Sequence, residues 1–197
     1  MNAASVSQLN NFQNVEIVRM TESGNWSSMF WRFLPCSDPE VDIMISRDCD
    51  SRLSTRESLA VKEWIVSDKM FHIMRDHPYH TERIMGGMWG AKKGILADMS
   101  QKIYNYRKGD YWQIDQEFLL TEIYPLVLNS CMIHDEVFMT HPFPTKRKNY
   151  EFVGDVFTAD DNRDEIFWKI LKIHLSSKTI KEKMVISFRR LLKRIKL

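Results

Sequence analysis

Residues 41–53 read Val41-Asp42-Ile43-Met44-Ile45-Ser46-Arg47-Asp48-Cys49-Asp50-Ser51-Arg52-Leu53. The first half is an apolar run following the Asp38-Pro39 turn, and it predicts a strand over 41–46. The second half carries two carboxylates, Asp48 and Asp50, into the loop past the strand. In α/β sheets such loops, at the carboxyl ends of strands, are where ligands sit. Two acids two residues apart can share a hard divalent cation, Mg2+ or Mn2+, and leave positions open for phosphate oxygens. Solvated acids at a strand end would give the same text, and Arg47 and Arg52 would pair with them in either case.

Outward from this stretch, Ser54 with Glu57 three residues on forms a capping box that opens a helix to about Val66. Residues 71–75 predict a short strand, stopped by Pro78. Upstream, alternation over 15–20 predicts a strand, and 26–34 a short helix closed by Pro35. Downstream, helices are expected over 95–106 and 115–128, a short strand over 152–154, and a basic helical stretch over 165–197. Strands alternating with helices predict an α/β fold. The core is expected over 1–160, followed by a basic helical tail over 161–197.

At 197 residues the chain suits one domain, and 44% hydrophobic with 27% charged residues is ordinary for a globular protein. The rings, 12% of the chain, suit bulky core packing or a sugar-stacking cleft. A net charge of +2 excludes a strongly basic, nucleic-acid-style body, so no nucleic-acid partner is expected. Cys36, Cys49 and Cys131 form no Cys-x-x-Cys pair, which argues against a zinc knuckle or a disulfide framework and for a reduced, cytoplasmic compartment. The polar first residues show no signal-peptide pattern, and no run approaches the ~18 apolar residues of a membrane span.

Four further groups carry polar chemistry. Met74-Arg75-Asp76-His77-Pro78-Tyr79-His80 sets several polar tips in a Pro-bent loop after a strand; alternatively Asp76 and His77 only satisfy backbone groups. Ile84-Met85-Gly86-Gly87-Met88-Trp89-Gly90 permits close backbone approach to a ligand beside a flat ring, or is a tight turn with a buried Trp. Asp115 and Gln116 open a helix, where the dipole favours an acid in any case. In Ile133-His134-Asp135-Glu136 a neutral imidazole would complete a metal site begun by two acids, or serve structure alone.

Together with Trp31-Arg32-Phe33-Leu34-Pro35 and Phe152-Val153-Gly154, these segments resemble a group of D-x-D glycosyltransferase-like proteins of bacteria and large viruses. That group is built on the GT-A (nucleotide-diphospho-sugar transferase) fold. The resemblance covers about residues 26–160, and its Arg-Asp-x-Asp-Ser-Arg and Met-Arg-Asp-His-Pro strings are specific. It implies a GT-A-like mixed sheet flanked by helices, and a transferase moving a sugar from a nucleotide-sugar donor to a saccharide, lipid or protein acceptor. Asp48 and Asp50 would hold the metal, with His134 as third ligand. Arg47, Arg52, Arg75, Asp76, Gly86, Gly87 and Trp89 would bind the donor. Asp115 and Gln116, similar to the helix-opening Asp-Gln of glycogenin-like transferases, would lie at the reacting sugar.

Family members spend more chain before the D-x-D pair than the 47 residues found here, so a short nucleotide-binding part is expected. That makes a non-catalytic remnant one alternative; a metal-dependent phosphohydrolase using Asp48, Asp50, His77 and His134 is another. Finally, from Lys178 onward Val185, Phe188, Leu192 and Ile195 share one helical face against Lys and Arg on the other. Such a helix either lies peripherally on an anionic membrane surface or packs its apolar face on the domain.

Overall fold

A computed structural model describes residues 3–106 and 108–195. Its sheet has four strands, β1 (Ile43–Arg47), β2 (Phe71–Arg75), β3 (Met88–Lys92) and β4 (Cys131–Asp135), in the order β1-β3-β2-β4. β3 runs antiparallel to both neighbours, whereas β2 and β4 are parallel. The helices are α1 (Ala3–Leu9), α2 (Thr55–Ile65), α3 (Met99–Asn105), α4 (Ile114–Phe118), α5 (Tyr124–Val127), α6 (Glu165–Ser177) and α7 (Ile180–Ile195). A 3-10 run covers Trp26–Ser37, and a π turn, Leu119–Ile123, joins α4 to α5. The architecture is mixed α/β: a four-stranded mixed sheet flanked by helices.

Alternation along the strands sorts the core into two layers. Phe71, Ile73, Trp89 and Ala91 face one side, where Phe33 from the 3-10 run lies 5.3 Å from the Trp89 ring and Phe71 stacks on it at 5.2 Å. His72 and Gly90 are cross-strand partners on the other side and receive Trp64 of α2, which stacks on His72 at 5.3 Å. Met74, Met88, Ala60, Phe143 and Val153 extend that second layer. The helix α2 begins as its sequence predicts, with Ser54 Oγ accepting from the Glu57 amide at 3.1 Å. The Glu57 carboxylate does not complete the box; it pairs with Arg47.

Several expectations are corrected. Residues 15–20 form no strand, and Val18 stands 70% exposed. The glycine segment 84–90, expected to approach a ligand or to form a tight turn with a buried Trp, runs into β3, which Gly90 allows to pass under the Trp64 ring. The apolar run before His134 is β4, buried at its His134-Asp135 end. Residues 152–154 form no strand but lead through a turn, and the adjoining pairing is reduced to the isolated Ser51–Val156 and Phe157–Arg163 bridges. The basic stretch is two helices, α6 and α7, divided at Lys178-Thr179; Lys196, Leu197 and the side chain of Ile195 lie outside the described residues.

Candidate functional site

The loop after β1, the loop before β3 and the start of α4 meet around a cavity of about 350 Å3. Asp48 and Asp50 come from the first, Gly86 and Gly87 from the second, and Asp115 and Gln116 from the third. Arg32, on the 3-10 run, ties them together. One guanidinium nitrogen pairs with Asp48 and the other with Asp115. Asp48 stands half exposed at 52% while Asp115 is buried, so the arginine spans mouth and floor.

The glycines serve this packing. A Cβ on Gly86 would collide with the Arg32 guanidinium and lie 3.0 Å from Asp115 Oδ2, and one on Gly87 would overlap the Asp48 carboxylate. The missing side chains make room for the site's own charged groups. Gln116 holds the same loop: its Nε2 donates to Ile84 O at 2.9 Å and its Oε1 accepts from the Gly86 amide. Ser46 Oγ donates to Gly86 O at 2.6 Å, which fastens the loop to β1.

Two indoles line the opening, Trp26 at 50% and Trp112 at 66% exposure. Ser27 draws their loops together, its amide donating to Asp110 Oδ1 at 2.9 Å and its hydroxyl to Gly109 O at 3.2 Å. Gln113 takes a left-handed conformation (φ 66°) between exposed Trp112 and buried Asp115. A side chain other than glycine in that region marks a backbone held against its preference. The wall also includes His80, whose Nδ1 accepts from the Asp76 amide at 3.1 Å. Burial, aided by neighbouring His77, pushes the His80 pKa down to about 3, so it is neutral at physiological pH.

The other residues expected at the site are engaged elsewhere, and none of them lines the cavity. Arg47 pairs with Glu57 and Arg52 with Asp161, while Arg75 pairs with Asp135. Asp76 is wholly buried between Arg56 at 2.8 Å and Arg147 at 2.6 Å and accepts from the Val153 amide at 3.0 Å. Burial alone would raise its pKa; Arg147 and Arg56 overcome that and hold it at about 2. Trp89 lies in the core with no exposure.

His134 does not join Asp48 and Asp50. Its Nδ1 lies 2.7 Å from His72 Nε2, and its Nε2 lies 3.1 Å from Glu63 and 3.2 Å from Lys193 Nζ. The cause is register: β4 pairs with β2 so that His134 faces α2, in the layer of His72 and Trp64. His77 is likewise spent, with Nε2–H donating to Phe167 O at 2.8 Å and Nδ1 accepting from the Tyr79 amide at 3.1 Å. The quartet a phosphohydrolase would need is therefore not assembled. Among the described residues no three His, Cys, Asp or Glu side chains stand together as a metal cluster.

Arg32, Trp26, His80 and Trp112 line the cavity without any role expected of them from sequence. Arg32 and His80 sat inside strings already singled out, but neither type nor spacing signalled a cavity wall. Comparison of the chain with protein-family models, with curated proteins and with solved structures returns no match.

Proposed function

We propose that this chain is a GT-A-type glycosyltransferase that moves a sugar from a nucleotide-sugar donor with Mg2+ or Mn2+ at Asp48 and Asp50. One observation carries the reading. Asp48, Asp50, Gly86, Gly87, Asp115 and Gln116, from three separated stretches of sequence, wall a single cavity between two exposed indoles.

The donor set suits such a cation. Mg2+ is commonly held by one or two carboxylates and takes its other oxygens from phosphates and water, so a third protein ligand is not required. When bound, the ion neutralises charge on the departing diphosphate. In the transfer, the acceptor oxygen bonds to the anomeric carbon as the bond from that carbon to the diphosphate oxygen breaks, its electron pair leaving with the diphosphate. Asp115, fixed by Arg32, would contact the reacting sugar or take the acceptor's proton. Gln116 holds the Gly86 loop and lines the cavity beside Asp115, and Trp26 and Trp112 offer flat apolar faces to a ring.

A second reading, a donor-binding module without turnover, is favoured by the internal bonds that already occupy Asp115 and Gln116. A panel of nucleotide-sugars with Mn2+, followed both by calorimetry and by release of nucleoside diphosphate, separates the two. The transferase reading expects Mn2+-dependent release that falls about a hundredfold in Asp50→Asn, with the circular dichroism spectrum retained. Micromolar binding without release selects the module. Absence of both removes the donor site altogether.

A further inference from the structure

The helix α7 is attached by the side opposite to its apolar stripe. Ile186 and Arg190 are its buried positions; Arg190 Nε donates to Phe143 O at 3.1 Å, and Lys193 reaches Glu63 at 2.9 Å. Turned away from that seat, Ile180, Met184, Phe188 and Leu191 stand 53–78% exposed. Their spacing of four, four and three residues places them in one line along the helix.

Two more observations define the surface. Lys181 and Lys183 are exposed on either side of the stripe, and the only acid in α7, Glu182, is turned to the helix start, where it accepts from Thr179 at 2.8 Å. The loop after β4 is bound to this region at both ends, by Lys178 Nζ donating to Glu136 O at 2.7 Å and Arg189 Nη1 donating to Thr140 O at 2.8 Å. Between those anchors Phe138 and Met139 are exposed, which adds two apolar side chains beside the helix.

We propose that this face of α7, with the Phe138-Met139 loop, seats the protein on an anionic lipid surface, the apolar stripe entering the headgroup boundary and the flanking cations meeting acidic headgroups. Charge decides the occupant. A protein groove would cover the stripe equally well, but exposed Lys181 and Lys183 on either side of an apolar line match the negative potential of an acidic leaflet. A second copy would bring like charges together. No helix among the described residues is long and apolar enough to cross a membrane, so the contact is peripheral. The surface does not use the cavity residues and stands whatever that site does.

The test is co-sedimentation of the full chain with phosphatidylcholine vesicles, with and without about 30% phosphatidylserine. At least about tenfold greater partition onto the acidic vesicles is expected, weakened by added salt. Met184→Glu with Phe188→Glu should abolish it without changing the thermal melt, and Lys181→Gln with Lys183→Gln should reduce it severalfold. Equal failure on both vesicles, or binding that Met184→Glu with Phe188→Glu leaves intact, overturns the proposal. So does a lipid-free dimer in sedimentation velocity that the same pair dissolves while vesicle binding is absent, for that assigns the stripe to another copy.

Discussion

Arg32 shows how closely the site is fitted, because the two glycines beside it differ in what they exclude from what Gly90 excludes. An added methyl at Gly87 overlaps the Asp48 carboxylate, the end of a half-exposed side chain that can move aside by giving up its pairing with Arg32. An added methyl at Gly90 meets the Trp64 ring at 2.9 Å and the Met44 carbonyl at 3.1 Å, and neither has room to move. Gly87→Ala should therefore leave the melting temperature almost unchanged while displacing Asp48, and so weaken Mn2+-dependent donor binding at least tenfold in calorimetry. Gly90→Ala should lose about 1–3 kcal/mol in chemical denaturation, the usual cost of overpacking. A Gly87→Ala protein that unfolds early yet binds donor normally would mean that Asp48 is a structural anchor and not part of the cavity's chemistry.

Buried ion pairs connect the outer helices to the sheet. Arg190 of α7 pairs with Glu136 after β4; Glu136 lies 3.2 Å from Arg56 of α2; Arg56 pairs with Asp76 after β2, and Asp76 with Arg147. Arg190→Met keeps much of the apolar stem but leaves Glu136 with one partner fewer. Removing one member of a buried pair costs about 3–5 kcal/mol where nothing else compensates. Here Arg56 and the Phe143 amide still serve Glu136, so about 2 kcal/mol is expected, read as faster amide exchange in α7 and in residues 136–143. Exchange unchanged in α7 would show that Ile186, with the Lys193–Glu63 and Arg189–Thr140 contacts, holds it without Arg190. This chain of charges also explains what sequence could tell. β1 and β2 were legible because each is a short apolar run with a clear stop, and α2 because its cap is written in Ser54. The strand β3 was hidden by Gly90 within it and Gly86-Gly87 before it, and β4 by following directly on α5 and a 3-10 turn at the end of a stretch that reads as helix. The acids of the cavity were legible from their spacing after β1 and at the start of α4. The partners of Asp76 and His134 were not, because they depend on which strands sit side by side.

Histidine sets the acid limit of the molecule. All six imidazoles, His72, His77, His80, His134, His141 and His174, have pKa values lowered from the ordinary 6.5, in each case first by burial. Cations add to it: Lys193 near His72 and His134, Arg147 near His77 and His80, Arg189 near His141 and Lys178 near His174. An unfolded chain takes up protons below about pH 6.5 that the folded chain refuses, so stability is complete above that pH and declines as pH falls toward the folded values, about 3 for His80. Asp155 acts in the opposite sense. Burial raises its pKa to about 6, so the folded state gains a proton early and recovers stability between about 6 and 4, but it is one group against six. Below about pH 4 the lowered carboxyls, Asp76 at about 2 foremost, add their own loss. The melting temperature should thus be level from pH 8 to 6.5, fall by pH 5, and fall more steeply below 4. His80→Asn keeps an acceptor for the Asp76 amide and removes one titrating site, so between pH 6 and 4 its stability should fall more gently, by about 1.4 kcal/mol per pH unit. Parallel slopes for the variant and the natural chain would mean that His80 gains its proton as readily when folded as when unfolded, which would require the wall it forms to open to water.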